Sequence, residues 1–229
     1  MRAYMETLFY VIYLVLMPMA GLFLILKRKN GNGWLLFGLA MVILAFGDAF
    51  HLVPRAVSLF TKTLDDPSPT LAMWLGLGKL ITSITMTVFY VLFYLFIYKR
   101  AGIKRNLILD VVVGVLFATR IVLCAFPQNQ WLQNGSNLLW GILRNIPFTV
   151  LGIIVIVLAF KYLRMQKPYG LLFLAIILSF GFYLPVVLFA GTYSWVGMLM
   201  LPKTICYLWI ALLGFLDAKK GKEAEAAQE

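Results

Sequence analysis

Apolar residues fall in seven runs, near residues 6–26, 34–59, 71–98, 107–126, 138–160, 170–190 and 194–216, with short polar stretches between them. A helix rises about 1.5 Å per residue, so each run can cross a hydrocarbon core of about 30 Å. The pattern predicts an all-α polytopic membrane protein of seven transmembrane helices. These form a single domain over 1–218, followed by a short charged tail over 219–229. Glu6 lies close before the first run and Lys27 to Lys29 follow it. With no small-residue cleavage site, that run reads as a span and not as a signal peptide. The connections leave no room for a soluble catalytic domain, so any activity belongs to the bilayer or its faces.

Basic residues give the orientation. Clusters at Lys27 to Lys29, Lys99 to Arg105, Lys161 to Lys167 and Lys219 to Lys222 follow spans 1, 3, 5 and 7, whereas the alternate connections carry one lysine among them. The positive-inside rule then predicts an outside N-terminus and a cytoplasmic C-terminus. The net charge of +11 does not imply nucleic acid as a partner, because the basic residues flank apolar helices and form no exposed stripe. Cys124 and Cys206 fall in different spans and the chain has one histidine, so a zinc site of the usual kind is not expected, nor is any other cofactor.

The sequence "FGDAFHLVPR" places Asp48, His51 and Arg55 within span 2. Lys79, Arg120, Arg144 and Lys203 lie within spans 3, 4, 5 and 7. An ionised side chain at the bilayer centre costs about 2.5 to 3.5 kcal/mol on insertion scales, which makes each a functional candidate. Counted from the outer ends of their spans, Asp48 and Lys203 come out at about 14 to 16 Å. Lys79, Arg120 and Arg144 come out at about 9 to 12 Å, and Arg55 at about 6 Å.

Spans of opposite direction thus bring charge to one depth. Asp48, His51 and Arg55, at i, i+3 and i+7, share a helical face on which Asp48 can pair with His51. Two lysines and three arginines face one carboxylate, a balance that asks for an anion. The candidate ligand-binding set is Asp48, His51, Arg55, Lys79, Arg120, Arg144, Asn145, Lys203 and Tyr207, lining an outward-facing pocket. Thr82, Ser83, Tyr183 and Thr204 are polar helpers. The alternative is that Arg55, Arg120 and Arg144 extend to the outer surface, leaving Asp48, Lys79 and Lys203 as a structural network. Asp110 reads as a helix N-terminal acid.

Spans 1 to 3 and 5 to 7 share features in order. Pro18 and Pro147 precede apolar runs with basic ends, "LLF", "LA" and "FG" recur with late prolines Pro54 and Pro185, and "WLGLGKLIT" matches "WVGMLMLPKTI". This 3+1+3 parallel organisation with four helix prolines resembles the SWEET and PQ-loop transporters, and implies hinged helices. "LLFGLAMVILAFGDAFHL" looks like the Gly-Asp helix of the YhhN-type lysoplasmalogenases, which implies a catalytic Asp48 with His51 as acid or base. Span count and orientation are also similar to rhodopsins, with Lys203 in the last span, although span 3 carries Lys79 and no carboxylate. Across its length the chain resembles bacterial seven-helix membrane proteins with "GDAFHLVPR" and "GKLITSITMTVFY" blocks, which implies a plasma-membrane location and no particular activity. Three classes follow: a transporter of a small anion, placed first; an intramembrane enzyme acting on an anionic lipid head group; and a receptor or binding protein.

Overall fold

A computed structural model describes every residue except 1, 28–32, 62, 65, 136, 191 and 227–229. Seven long helices make up the fold: α1 (Arg2–Leu26), α2 (Trp34–Phe60), α3 (Pro69–Ala101), α4 (Leu107–Ala125), α5 (Leu138–Leu158), α6 (Leu172–Phe189) and α7 (Met200–Ala226). All seven contain a segment long and apolar enough to cross a membrane, and no strand occurs among the described residues. The chain is therefore an all-α integral membrane protein. Below, the inner face is the one that carries the basic collars, expected to be cytoplasmic, and the outer face is its opposite.

Local signals set the helix ends. Ser68 caps α3 through the Leu71 N–H, with Pro69 at the first helical position. Gly102, at φ 66°, ends the same helix in a left-handed conformation that costs glycine little. Asn106 accepts from the N–H groups of Ile108 and Leu109 at 2.9 and 3.3 Å, and Asp110 sits in that first turn of α4 as expected. Asn106→Ala is expected to cost about 0.5 to 2 kcal/mol, the usual worth of an N-cap, as a lowered melting temperature in detergent. An unchanged melting temperature would show that water replaces the cap. Past Leu158, α5 widens into a π turn, Ala159–Leu163, and α7 runs on through most of the stretch expected as a tail.

The helices follow one another around a ring. α1 packs on α2 and closes against α7, α3 touches α2, α4 and α5, and α5, α6 and α7 complete the circle. The triplets α1–α3 and α5–α7 are consecutive arcs of that ring, and α4, largely exposed, lies beside α3 and α5. The backbones of α2 and α3 approach closely: a Cβ on Gly78 would meet the Phe50 carbonyl oxygen and lie 2.8 Å from the His51 Cα. Pro54, four residues past Phe50, has no N–H for that carbonyl. The Thr82 hydroxyl adds a bond to the Gly47 carbonyl at 3.0 Å.

Aromatic rings fill the inner half of the bundle. Tyr169, Phe96, Phe37, Phe93, Phe89 and Tyr207 form a continuous column, with successive centroids 4.5 to 5.4 Å apart. At its inner end the buried Asp217 carboxylate on α7 accepts from Arg100 at 2.7 Å, Trp34 Nε1 at 2.7 Å and Tyr169 at 3.3 Å. One acid thus fastens α2, α3, the entrance to α6 and α7.

Candidate functional site

The ionisable residues of the outer half come together inside the ring, in two groups. The first is paired. Arg55 donates from Nε to the Tyr10 hydroxyl at 2.9 Å and from Nη2 to Glu6 at 3.4 Å, and Tyr10 donates to Glu6 at 2.8 Å. Asp48, 8% exposed, accepts from the Tyr13 hydroxyl at 2.6 Å.

Two expectations are corrected here. Asp48 is not the lone carboxylate, since Glu6 is buried against Arg55; five cations therefore face two acids. Asp48 also makes no hydrogen bond to His51. The Tyr13 hydroxyl reaches it across the α1–α2 contact, and the His51 Nδ1 is left buried without a partner. Spacing along one helix cannot reveal a partner on another.

The second group lacks carboxylates altogether: among the described residues none forms an ion pair with Lys79, Arg120, Arg144 or Lys203. Arg120 on α4 is fully buried, which removes the alternative of extension to the surface for that side chain. Its Nη1 donates to the Arg144 carbonyl and, at 2.9 Å, to Asn145 Oδ1. The guanidinium carbon lies 4.9 Å from the Phe148 ring centroid.

Asn145 is engaged through both its amide atoms. Its Oδ1 also accepts from Tyr183 at 2.7 Å, and its Nδ2 donates to the Gly141 carbonyl. Lys203, 5% exposed, has Nζ at 3.4 Å from the Met86 sulfur, with the Tyr183 and Tyr207 rings at 4.9 and 5.4 Å. Cation–π contact offsets part of the desolvation of such a charge but does not neutralise it. The Tyr207 hydroxyl is buried without a partner.

Arg144 reaches toward the outer connection. Its Nη1 donates to Asn129 Oδ1 at 2.6 Å and its guanidinium lies 4.4 Å from the Trp131 ring centroid. Asn129 and Trp131 are held in turn by carbonyls at the end of α4, Trp131 Nε1 donating to Cys124 at 2.8 Å. The groups are close enough to feel one another: Lys203 is within electrostatic range of Asp48 and Arg120, Lys79 of Arg144 and Arg55, and His51 of Arg55, Lys79 and Lys203.

The connection bearing Asn129 and Trp131 covers Arg144 on the outer side. Two cavities, of about 370 and 310 Å³, lie beside α2, one against α1 and one at the α2–α3 connection; of the ionisable residues of the two groups and their partners, Tyr10 lines the first. Thr82, Ser83 and Thr204 give their hydroxyls to backbone carbonyls and are structural. Sequence reasoning missed Glu6, Tyr10, Tyr13, Asn129, Trp131 and Phe148. An acid at the edge of an apolar run reads as a flank, and an aromatic residue in one reads as core.

No group of three His, Cys, Asp or Glu is placed to hold a metal ion among the described residues, and both cysteines are free and buried. Fold and site together define a seven-helix integral membrane protein with a buried cationic centre. No protein-family profile, no curated protein and no solved structure matches the chain.

Proposed function

We propose that the protein binds a small anion among Lys79, Arg120, Arg144 and Lys203 and carries it across the membrane. The observation that carries this reading is Arg120: a fully buried guanidinium with no carboxylate partner, adjacent to other unpaired cations. Taking one ion from water into a low-dielectric interior costs several kcal/mol even after relaxation, and neighbouring like charges add to that cost. An anion among them reverses the sign of the interaction.

Transport is favoured over static binding by the helix prolines, Pro18, Pro54, Pro147 and Pro185, which lie inside α1, α2, α5 and α6. Each interrupts the backbone ladder at a point where a helix can bend. A centre covered on its outer side and closed by aromatic rings on its inner side suits a carrier that exposes its site alternately.

The test combines stability and flux. An anion at about 100 times its Kd adds roughly 2.7 kcal/mol to the stability of the purified protein. That gain is expected for wild type at fixed ionic strength and is expected to vanish in both Lys203→Ala and Arg144→Ala. Proteoliposomes should take up the same anion. A screen of phosphates, sulfates and carboxylates that gives no specific shift would remove the reading, and a shift without uptake would reduce it to binding.

A further inference from the structure

Resting on that anion-binding reading, we infer that the anion is a phosphate group, held by the Nε–Nη2 edge of Arg120 with Lys203 opposite. An arginine has two places to hold two acceptors at once: the end formed by both terminal nitrogens, and the side formed by Nε and the terminal nitrogen syn to its hydrogen, Nη2. In Arg120 the far nitrogen, Nη1, is consumed by the Arg144 carbonyl and Asn145 Oδ1. Nε and Nη2 are both buried and both without a partner. What is left over is the side-on fork, intact and desolvated, whose spacing matches two oxygens of one phosphate or carboxylate.

The surroundings narrow the class. Two cationic donors in range of the fork are unused: Arg144 Nε is buried and unpartnered, and Lys203 Nζ faces a sulfur and two rings. Asn145 Oδ1, the side-chain acceptor that takes Nη1, already accepts twice. A ligand that satisfies these donors supplies acceptors and negative charge. Arg120 is within electrostatic range of both Arg144 and Lys203, so at least three positive charges share the place. A dianion with three peripheral oxygens answers both demands: two oxygens on the fork and a third toward Lys203. A halide offers no pair of acceptors to the fork, and a monocarboxylate brings half the charge.

The experiment is equilibrium binding to purified wild-type protein, at fixed ionic strength and at a pH where phosphate is largely the dianion. Inorganic phosphate and methylphosphonate are compared with acetate and chloride, and inorganic phosphate is repeated on Arg120→Lys. The expected order is phosphate and methylphosphonate well ahead of acetate and chloride. Arg120→Lys, which keeps the charge and loses the fork, should weaken phosphate by roughly 10- to 100-fold, the worth of a charge-assisted hydrogen bond. The wild-type series stands even if Arg120→Lys does not fold.

Chloride or acetate binding as tightly as phosphate, or a folded Arg120→Lys that binds phosphate like wild type, would overturn the fork while leaving the anion reading in place. No binding of any anion would overturn both. Glycerol 3-phosphate against its 1-acyl ester separates the two sources of such a group. Equal affinity assigns a free phosphomonoester, and a preference for the ester assigns a lipid head group; either result requires the fork.

Discussion

Asp217→Ala is expected to cost about 3 to 5 kcal/mol, the range for removing one partner of a buried ion pair. The carboxylate is 7% exposed and the arginine it holds 17%, so water can replace little of what is lost. Truncation strands three donors at once: the Arg100 guanidinium, the Trp34 indole N–H and the Tyr169 hydroxyl. Arg100 already has a buried Nε without a partner, which leaves it nowhere else to turn. Thermal unfolding in detergent should show a fall in melting temperature of several degrees. Asp110→Ala, which removes the more exposed pair with Arg105, should move it far less. Equal effects from the two substitutions would mean that the Asp217 knot does not fasten the inner end of the bundle.

Gly78→Ala is expected to cost about 1 to 3 kcal/mol through overpacking, toward the upper end because all three atoms that a Cβ would meet belong to backbone. A side chain could rotate away, but the Phe50 carbonyl and the His51 Cα move only if α2 and α3 part. Parting these helices also displaces His51 and Lys79, the residue next to Gly78, so affinity for an anion should fall together with stability. Gly114→Ala supplies the contrast. Nothing lies within 4 Å of a Cβ there, and alanine favours the helix by up to about 1 kcal/mol. A stability scan of the two variants should give opposite signs; a tolerated Gly78→Ala would show that the α2–α3 approach is looser than described.

The seven spans were legible because a bilayer imposes a length that hydropathy records directly. Their ends were less so. α3 begins at Pro69 and runs to Ala101, beyond the apolar run on both sides, because Ser68 and Gly102 set its limits and neither is apolar. Depth counting found the cations of the centre, since a charge within an apolar run stands out against it. It could not tell which charges are matched. Arg55 and Lys79 look equivalent in sequence, yet among the described residues Arg55 is tied to Glu6 while Lys79 has no ion pair, because Arg55 is the one that faces α1. Arg100 reads as a member of a basic collar, and Asp217 lies just before another. That they meet depends on Arg100 and Asp217 lying at one level of the folded bundle, information spread over more than a hundred residues of chain.

Between the Asp217 knot and Lys203 the interior holds the column of six rings from Tyr169 to Tyr207. No hydrated ion passes such a stack while it stands, since a bare charge in an apolar medium costs tens of kcal/mol. The column is thus an electrical insulator, and the membrane potential falls steeply across it. Lys203 stands at its outer end, so a charge leaving that residue for the inner face crosses the inner half of the field. Full passage exchanges about 2.3 kcal/mol per elementary charge for every 100 mV. For a carried dianion, the voltage of the membrane then becomes as strong a determinant of direction as the concentration on either side.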